Sequence, residues 1–516
     1  MVLWTLVKAS SAAEAPAPED GSSAKSEWVY PDSSGKLAYK TTEKGDKIMD
    51  FSSAGYMGGG VKIPSVSEKV TVSPSGGDDT SAIQDALDKV AKMDLIDGFR
   101  GAVLLAKGTY NCSQPLNLNA SGVVLRGSGS GSDGTILNLT GQPHVCILMS
   151  GSDSNAVKET GTPATISDSY VPSGATSFQV DNASPFKVGD TVIIHRPVTK
   201  VWIAFMGMDK LVRNDKPQTW LAPSSTLKTE RVITGISGNH ITLDIPLTDS
   251  FDGQYLSPPG GSMVKCTIDG RTSQTGVENL RIISPPQTEG IDQPEYHAIK
   301  MNNVVDAWMK DVDLEDTVNS VTIDNSAKRI TVENVSINHS VATKGAAKPA
   351  DFTGSGAQLL FDHCSSQGDN LFYFVTGGEV TGPVVLLNCT FHGNGHVQPH
   401  ARWATGLLVD ECQVPESGID FMNRGTMGTG HGWTVGWAVA WNCVAKTYLI
   451  QQPPGSINWA IGCKGKLEKE GKPGLDEEES SKDIFDSPDH PVAPASLYLA
   501  QLSERLGPQA LQNIGY

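Results

Sequence analysis

The sequence predicts an all-β protein, a parallel β-helix (solenoid) with an N-terminal capping helix and a small inserted β subdomain. Eight short apolar segments each end on a polar residue followed by Val, Leu or Cys, and in the last five segments this final residue is cysteine. These ladder positions are Leu280, Val312, Val335, Cys364, Cys389, Cys412, Cys443 and Cys463. Their spacings of 20 to 32 residues are typical of a solenoid whose strands stay fixed while its loops vary. Gly, Asn, Asp and Pro interrupt the β-branched runs, and helical periodicity is missing between the ladder positions.

A polar residue precedes each ladder position except the last, where a glycine stands. Because side chains alternate along a strand, the polar residues should stack at a turn while the ladder residues point into the core. The residues expected at this turn are Asn279, Asp311, Asn334, His363, Asn388, Glu411, Asn442 and Gly462. The five ladder cysteines are then small buried hydrophobes rather than parts of a disulfide scaffold. For Cys112, Cys146 and Cys266 the sequence leaves the pairing open.

Composition and charge limit the partners of this chain. The 516 residues are 38% hydrophobic, include 54 glycines and carry a formal net charge of −17. A strongly acidic protein is a poor ligand for nucleic acid or an anionic membrane, which need a basic surface. An acidic polymer would need a local basic patch. No stretch reaches the roughly 18 apolar residues of a membrane-spanning helix, so we expect neither nucleic acid nor a membrane span.

The chain divides into three predicted regions. Residues 1–69 hold a short apolar start, a Pro/Glu/Ser-rich linker and a lead-in, and this export-like start predicts a secreted or periplasmic protein. Residues 70–465 form the β-helix, with an inserted β subdomain at about 165–255. Residues 466–516 contain an acidic loop and an amphipathic segment that caps or packs on the solenoid.

The front of the β-helix has a capping motif. In GDDTSAIQDALDKVAKM, Asp78, Asp79 and Thr80 offer N-capping side chains to a helix with one apolar stripe. This helix, the Gly-x-Val strand, the Gly-x-Tyr turn and the L-x-L…V-x-L-x-G-x-G run resemble the N-terminal cap and first coils of pectate-lyase-like right-handed parallel β-helix proteins. The resemblance covers about residues 70–465 and implies a right-handed helix. That superfamily includes polysaccharide lyases, glycoside hydrolases, epimerases and tailspikes, so the fold does not fix the chemistry.

A long segment of the insert interleaves aromatic and basic residues. It holds Trp202, Lys210, Arg213 and Trp220. Such a segment suits a wall that stacks sugar rings and holds carboxylates. In the alternative interpretation, the two tryptophans pin the subdomain to the solenoid.

Basic residues also gather in two adjacent coils. His400 and Arg402 lie 11 and 13 residues after Cys389, and Arg424 lies 12 residues after Cys412. Similar offsets in consecutive coils indicate neighbouring positions on one face, about 4.8 Å apart. Lys348, 13 residues after Val335, extends this strip.

This strip suits β-elimination from a uronate, which requires neutralisation of a carboxylate and removal of the C5 proton. Arg402 and Arg424 are the candidate carboxylate ligands, and His400 and His431 the candidate proton-transfer groups. The nearby Trp403 and Trp433 are candidates for sugar stacking. We therefore predict a polysaccharide lyase acting on an acidic, uronate-containing polysaccharide, an activity that occurs in the superfamily that the chain resembles. A Ca²⁺ ion would be compatible with this chemistry, but no loop has a ligand spacing that names a metal site.

Two alternatives remain open from the sequence. An inverting glycoside hydrolase would need carboxylates about 6.5–9.5 Å apart, for which Asp369, Asp410 and Asp420 are candidates. A noncatalytic glycan-binding surface protein would also explain an Arg- and Trp-rich face. A zinc site at the histidines is disfavoured, because Gly393, Gly395 and Pro399 prevent the helix that would align them.

Overall fold

The structure is a computed structural model that describes residues 24–152, 157–345, 347–468 and 484–516. Within these ranges, 27 strands pair in parallel into one continuous sheet. Each coil folds this sheet into three faces around a common interior. The pairing confirms the predicted parallel β-helix.

The strands of the β-helix fall into sets by the face on which they lie. The first face holds Glu68–Val72, Gly101–Leu105, Val123–Arg126, Ala357–Asp362, Thr381–Leu387, Ala404–Asp410, Val435–Gly436, Val439–Trp441, Trp459–Ile461 and Ile484–Asp486. Strands that continue from the first face into the second are Thr272–Ile283, Val304–Glu315 and Lys328–Asn338. The second face also holds Gly108–Cys112, Thr135–Leu139, Ser365–Gln367, Thr390–His392 and Lys464–Leu467. The third face holds Leu116–Leu118, Val145–Ser150, His297–Asn302, Val321–Ile323, Ala350–Gly354, Phe372–Val375 and His396–Val397. Strands that run from the second face into the third are Gln413–Phe421 and Val444–Ile450.

The ladder turn has one backbone conformation in every coil. All eight residues that precede a ladder position have φ between 49° and 66°, a left-handed conformation that Asn, Asp and Gly adopt at lowest cost. Side chains stack there, since Asn334 donates to Asp311 at 3.1 Å. On the inner side Leu280, Val312 and Val335 are in register. The repeated pattern therefore encodes both the turn and the core.

All eight cysteines are free and buried. The five ladder cysteines lie in the core of the solenoid with the three aliphatic ladder residues. Burial raises the pKa of the Cys389, Cys412 and Cys443 thiols well above the usual value, so they are inert thiols. Their function is packing, as the sequence predicts.

The predicted capping helix is Thr80–Ala91. It buries Ile83, Leu87 and Val90 over the open end of the solenoid core. Its cap is Asp78, whose Oδ1 accepts from the Thr80 amide at 2.9 Å, whereas Asp79 makes no capping bond from its side chain. The helix covers the apolar interior that the first coil would otherwise expose to solvent.

The insert is an antiparallel subdomain spanning residues 157–268, a wider range than the sequence indicates. Its six-stranded sheet has the order Val157–Thr165, Ser262–Ile268, Thr191–Pro197, Thr226–Ser237, His240–Leu243 and Ser177–Gln179. Short pairs and helices complete it: Tyr170–Val171 with Phe251–Asp252, Val212–Arg213 with Lys216–Pro217, Lys200–Phe205 and Gly253–Leu256. One apolar cluster joins this subdomain to the solenoid.

The two ends of the chain cover the outer side of the first face. This cover is formed by the hairpin Val29–Pro31/Leu37–Tyr39, the 3-10 turn Tyr56–Gly58 and the helices Leu497–Leu506 and Pro508–Asn513. A shared apolar cluster holds most of it in place. Residues 1–23, the export-like start, and 469–483, most of the acidic loop, lie outside the described residues. Among the residues described, no helix is long and apolar enough to cross a membrane.

Candidate functional site

Two connecting loops of adjacent coils form the basic cluster. Residues 398–403 carry His400 and Arg402, and residues 422–434 carry Arg424 and His431. The loops are tied by backbone hydrogen bonds, including one from the Arg402 amide to the His431 carbonyl at 3.1 Å. The structure therefore brings together the four residues that the sequence names as candidate catalytic groups. We call them, with Arg213, the arginine–histidine cluster.

Two imidazoles and one guanidinium are in contact at its centre. Arg424 Nη1 lies 3.0 Å from both Nδ1 and the carbonyl oxygen of His400. The rings of His400 and His431 are 4.6 Å apart between centroids. Phe372 from the preceding coil supports the group, since its ring meets His400 edge-on at 5.5 Å and lies 5.6 Å from the Arg424 guanidinium carbon.

Both histidines are neutral near pH 7. Burial and then Arg424 lower the pKa of His400 to about 3. Burial, followed by Arg424, Arg402 and Arg213, lowers the pKa of His431 to about 4. Because Arg424 can only donate, His400 Nδ1 accepts, and the ring proton of His400 is assigned to Nε2. His400 is thus held as a hydrogen-bond donor toward any ligand.

His431 has no hydrogen-bond partner among the described side chains. Its Nδ1 is buried and unpaired. Its Nε2 faces Gly428, where an added Cβ would lie 2.1 Å away. Gly428 also has φ of 59°, so glycine is required there for both space and conformation. Within the described ranges, neither nitrogen of His431 has a hydrogen-bond partner.

The three arginines of the cluster do not pair with carboxylates. Arg402 Nη2 donates to the Thr429 carbonyl at 3.0 Å and hydroxyl at 2.6 Å, and Arg213 Nη1 donates to the Gly428 carbonyl at 2.8 Å. Elsewhere Arg126, Arg196 and Arg271 each have an acidic partner. The fully buried Arg231 is held instead by backbone carbonyls. Burial lowers the pKa of Arg424 to about 10, so it remains charged. Within the part of the chain described, no carboxylate lies at ion-pair distance from these three arginines, and Asp420 and Glu379 act on Arg424 and Arg402 only from farther away.

The backbone at Arg402 and Trp403 is strained. Both have left-handed φ values, 58° and 64°, which cost about 1–3 kcal/mol each for such residues. The turn sends Trp403 into the apolar cluster while Arg402 reaches Thr429 in the next coil. Strain of this kind persists where surrounding contacts over-determine it, and it is common at functional sites.

The four tryptophans expected to stack on sugars do not line the arginine–histidine cluster as open platforms. Trp202, Trp220, Trp403 and Trp433 are each at most 3% exposed and pack together in the apolar cluster. Their indole groups are also bonded, as Trp220 Nε1 donates to the Trp433 carbonyl at 3.0 Å. The expectation of a sugar-stacking wall is wrong for these four residues, because they pin the insert to the solenoid.

The remaining basic candidates flank the cluster. Lys210 is exposed on the insert, close in sequence to Arg213 of the cluster. Lys348 is partly buried just before Ala350–Gly354, the strand that pairs with Phe372–Val375. Lys348 thus lies two residues before Ala350, the strand residue that is in register with Phe372.

The three candidate hydrolase acids do not form a shared site. Asp410 is completely buried and accepts from the Ser496 hydroxyl at 2.7 Å and the Tyr498 amide at 2.8 Å. It caps the helix Leu497–Leu506 beneath the cover of the first face, so the expectation that it serves as a hydrolytic acid is wrong. Asp420 is buried between His396, 2.9 Å away, and Gln398. Asp369 is exposed and accepts from the Asn394 amide at 3.2 Å.

The cluster does not fit a resident Ca²⁺ ion. Calcium takes six or more oxygen ligands, mainly carboxylates, whereas this site presents guanidinium and imidazole groups. Among the described residues, no group of three or more His, Cys, Asp or Glu side chains could hold a metal ion. His392 and His396 instead face Glu416 and Asp420, at 3.6 and 2.9 Å.

Comparison with known proteins gives similarity to solved structures only. No protein-family model and no curated protein sequence matches the chain. The tailspike protein of E. coli bacteriophage HK620, in complex with a pentasaccharide, is 8% identical with a TM-score of 0.39, and covers 88% of this chain and 63% of its own. Polygalacturonase from Erwinia carotovora is 11% identical with a TM-score of 0.35, covering 82% and 96%. The tailspike of Acinetobacter baumannii bacteriophage AP22, in complex with a capsular saccharide, is 11% identical with a TM-score of 0.31, covering 81% and 71%. These similarities assign no chemistry to this chain.

Proposed function

We propose that this chain binds a uronate-containing polysaccharide at the arginine–histidine cluster and cleaves it by β-elimination. The proposal rests on one observation: three guanidinium groups without carboxylate partners at ion-pair distance surround two neutral histidines. A guanidinium binds a carboxylate through paired, charge-assisted hydrogen bonds. An anionic ligand would supply the negative charge that the described protein groups do not.

Each residue has a distinct role in the proposed reaction. Arg402 and Arg424 hold the uronate carboxylate and stabilise the charge that develops on it as the C5 proton leaves. His431 Nε2 accepts that proton, the C5–H electrons form the C4–C5 double bond, and the C4–O bond breaks. Water protonates the departing oxygen. His400, fixed with its proton on Nε2, donates a hydrogen bond to the developing anion, as a neutral imidazole can.

Substrate would itself prepare the base. The pKa of His431 is lowered partly by Arg424, Arg402 and Arg213. A bound carboxylate offsets these charges, so the pKa of His431 rises in the complex toward the range where a general base is most effective. The pH profile of kcat/KM then reports the low pKa of the free protein, and the profile of kcat reports a higher one.

The two alternatives make different demands on the chain. Hydrolysis needs two accessible carboxylates, but Asp410 caps a helix and Asp420 is held by His396 and Gln398. A noncatalytic binder needs the arginines but not an unpaired histidine. We propose an acidic polysaccharide outside the cell as the partner, in keeping with the export-like start of the sequence.

We expect Arg424→Ala to weaken binding of an oligouronate about tenfold or more, because one charge-assisted interaction contributes about 1.5–3 kcal/mol. Calorimetric titration with oligogalacturonate and oligomannuronate measures this, and the loss should shrink at high salt. The matched control is Lys89→Ala, which removes an exposed charge from the capping helix. Equal affinity of the Arg424 variant and the wild type would contradict the assignment of the anion site.

A further inference from the structure

A cavity lies beside Trp202 and Trp403, two of the four buried tryptophans. It has a volume of about 650 Å³, within the range of small-molecule sites. Its walls come from the lead-in at residues 42–46, the insert, and the loop 452–457 of a late coil. Trp202 and Trp403 form part of its floor, whereas Arg213, Arg402, Arg424, His400 and His431 do not line it. The cavity is therefore separate from the arginine–histidine cluster.

One wall of the cavity is aromatic. Phe205 and Tyr255 both line it and are both partly exposed. Their rings stack at 3.9 Å with an interplanar angle of 17°. The outer ring face of such a stacked pair is flat and apolar, and the C–H face of a sugar ring packs well on it.

The charged side chains that line the rest of the cavity favour an uncharged ligand. Four carboxylates line the cavity, Glu43, Asp46, Asp249 and Asp252, against two cations, Lys44 and Arg196. The excess of negative charge disfavours a uronate. The buried Asp249 is not free to bind a cation, because it accepts from Trp403 at 2.7 Å and from Trp437 at 3.0 Å and forms an ion pair with Arg196 at 3.1 Å.

Two buried polar atoms in the lining lack partners among the described residues. The hydroxyl of Ser456 and the Nη1 nitrogen of Arg196 are both buried and unpaired. Ser456 is 8% exposed and Arg196 5% exposed. An unsatisfied buried polar group is destabilising, and a ligand carrying hydroxyl oxygens would supply the missing hydrogen bonds. Nη1 can only donate, so the ligand must present an acceptor.

We propose that this cavity binds an uncharged sugar unit, stacked on Phe205 and Tyr255 and hydrogen-bonded by Ser456 and Arg196. The site is independent of the proposed lyase activity, because neither its lining nor its chemistry involves the arginine–histidine cluster. It would recognise a neutral sugar, either as a free oligosaccharide or as a unit or side branch of a mixed polymer.

Affinity for uncharged oligosaccharides tests this site. The probes are gluco-, galacto-, manno- and xylo-oligosaccharides, titrated calorimetrically against the full chain. We expect at least one to bind, and Ser456→Ala to weaken it about tenfold without loss of thermal stability, since the hydroxyl lacks a protein partner. Tyr255→Ala should weaken binding by at least as much, while Tyr255→Phe should bind like the wild type, because the Tyr255 ring provides the stacking surface.

The arms of the experiment separate the two sites. Arg424→Ala should leave binding of the neutral probe unchanged, and Ser456→Ala should leave oligouronate binding unchanged. Failure of every neutral probe to bind would overturn the proposal, as would wild-type affinity in both Ser456→Ala and Tyr255→Ala. Failure of oligouronate binding alone would overturn only the lyase site.

Discussion

Replacing His431 with glutamine is expected to lower kcat on the uronate substrate about 10²- to 10⁴-fold, the range for loss of a positioned general base. Affinity for the same substrate should change little, because the carboxylate is held by Arg402 and Arg424. The measurement is steady-state kinetics alongside calorimetric binding to an oligouronate. A proportional loss of affinity and turnover would contradict the assignment of His431 as the base.

His392 offers a matched control for this substitution. It lies in a neighbouring coil, is exposed, and faces Glu416 at 3.6 Å rather than the arginines. His392→Gln should retain wild-type kcat. A noncatalytic glycan binder would instead show unchanged affinity in both variants and no turnover in the wild type.

Replacing Asp410 with alanine is expected to lower the free energy of unfolding by about 3 kcal/mol. The carboxylate is fully buried and accepts from Ser496, Leu497 and Tyr498 at the start of the C-terminal helix. Its removal leaves these donors unpaired beneath the cover of the first face. Chemical denaturation measures the loss. If Asp410 were a hydrolytic acid, its variant would instead lose activity with unchanged stability.

The Asp410→Asn variant tests how the stability contributed by Asp410 depends on pH. Burial raises the pKa of Asp410 to about 7 in the folded protein, above the value of about 3.9 in an unfolded chain. The folded state therefore binds the Asp410 proton more tightly than the unfolded state does. The contribution of this protonation to the stability of the folded protein is fully present below about pH 4 and is lost as the pH rises through about 7. The wild type should lose more stability than Asp410→Asn between these pH values. Parallel stability curves for the two proteins would contradict the raised pKa.

The fold could be predicted because its determinants are local and repeated. Each coil requires a left-handed turn residue and then an inward apolar residue, and both requirements are visible at pairs such as Asn388 and Cys389. The cover on the first face could not be predicted in detail. It depends on the contact between Asp410 and residues 496–498, far along the chain, and such pairings leave no periodic signal.

The candidate site could be predicted only in part. Offsets of 11 and 12 residues from the ladder place His400 and Arg424 on one face, and the two side chains meet. Burial of the tryptophans was not evident, because an interleaved aromatic and basic segment fits both a sugar wall and an apolar contact. The sequence also gives no indication that Phe372 supports His400 and Arg424 or that Thr429 accepts from Arg402. A glycine-rich run at 425–432 was the available sign that the backbone approaches His431 closely.

The most direct test of the proposed function is incubation of the purified full chain with acidic and neutral polysaccharides, with and without EDTA. Ultraviolet absorbance of the unsaturated uronate and new reducing ends are recorded together. We expect both signals on at least one uronate polymer, unaffected by EDTA, because the arginines rather than a metal hold the carboxylate. New reducing ends without the absorbance, or neither signal on any uronate polymer, would contradict β-elimination at this site.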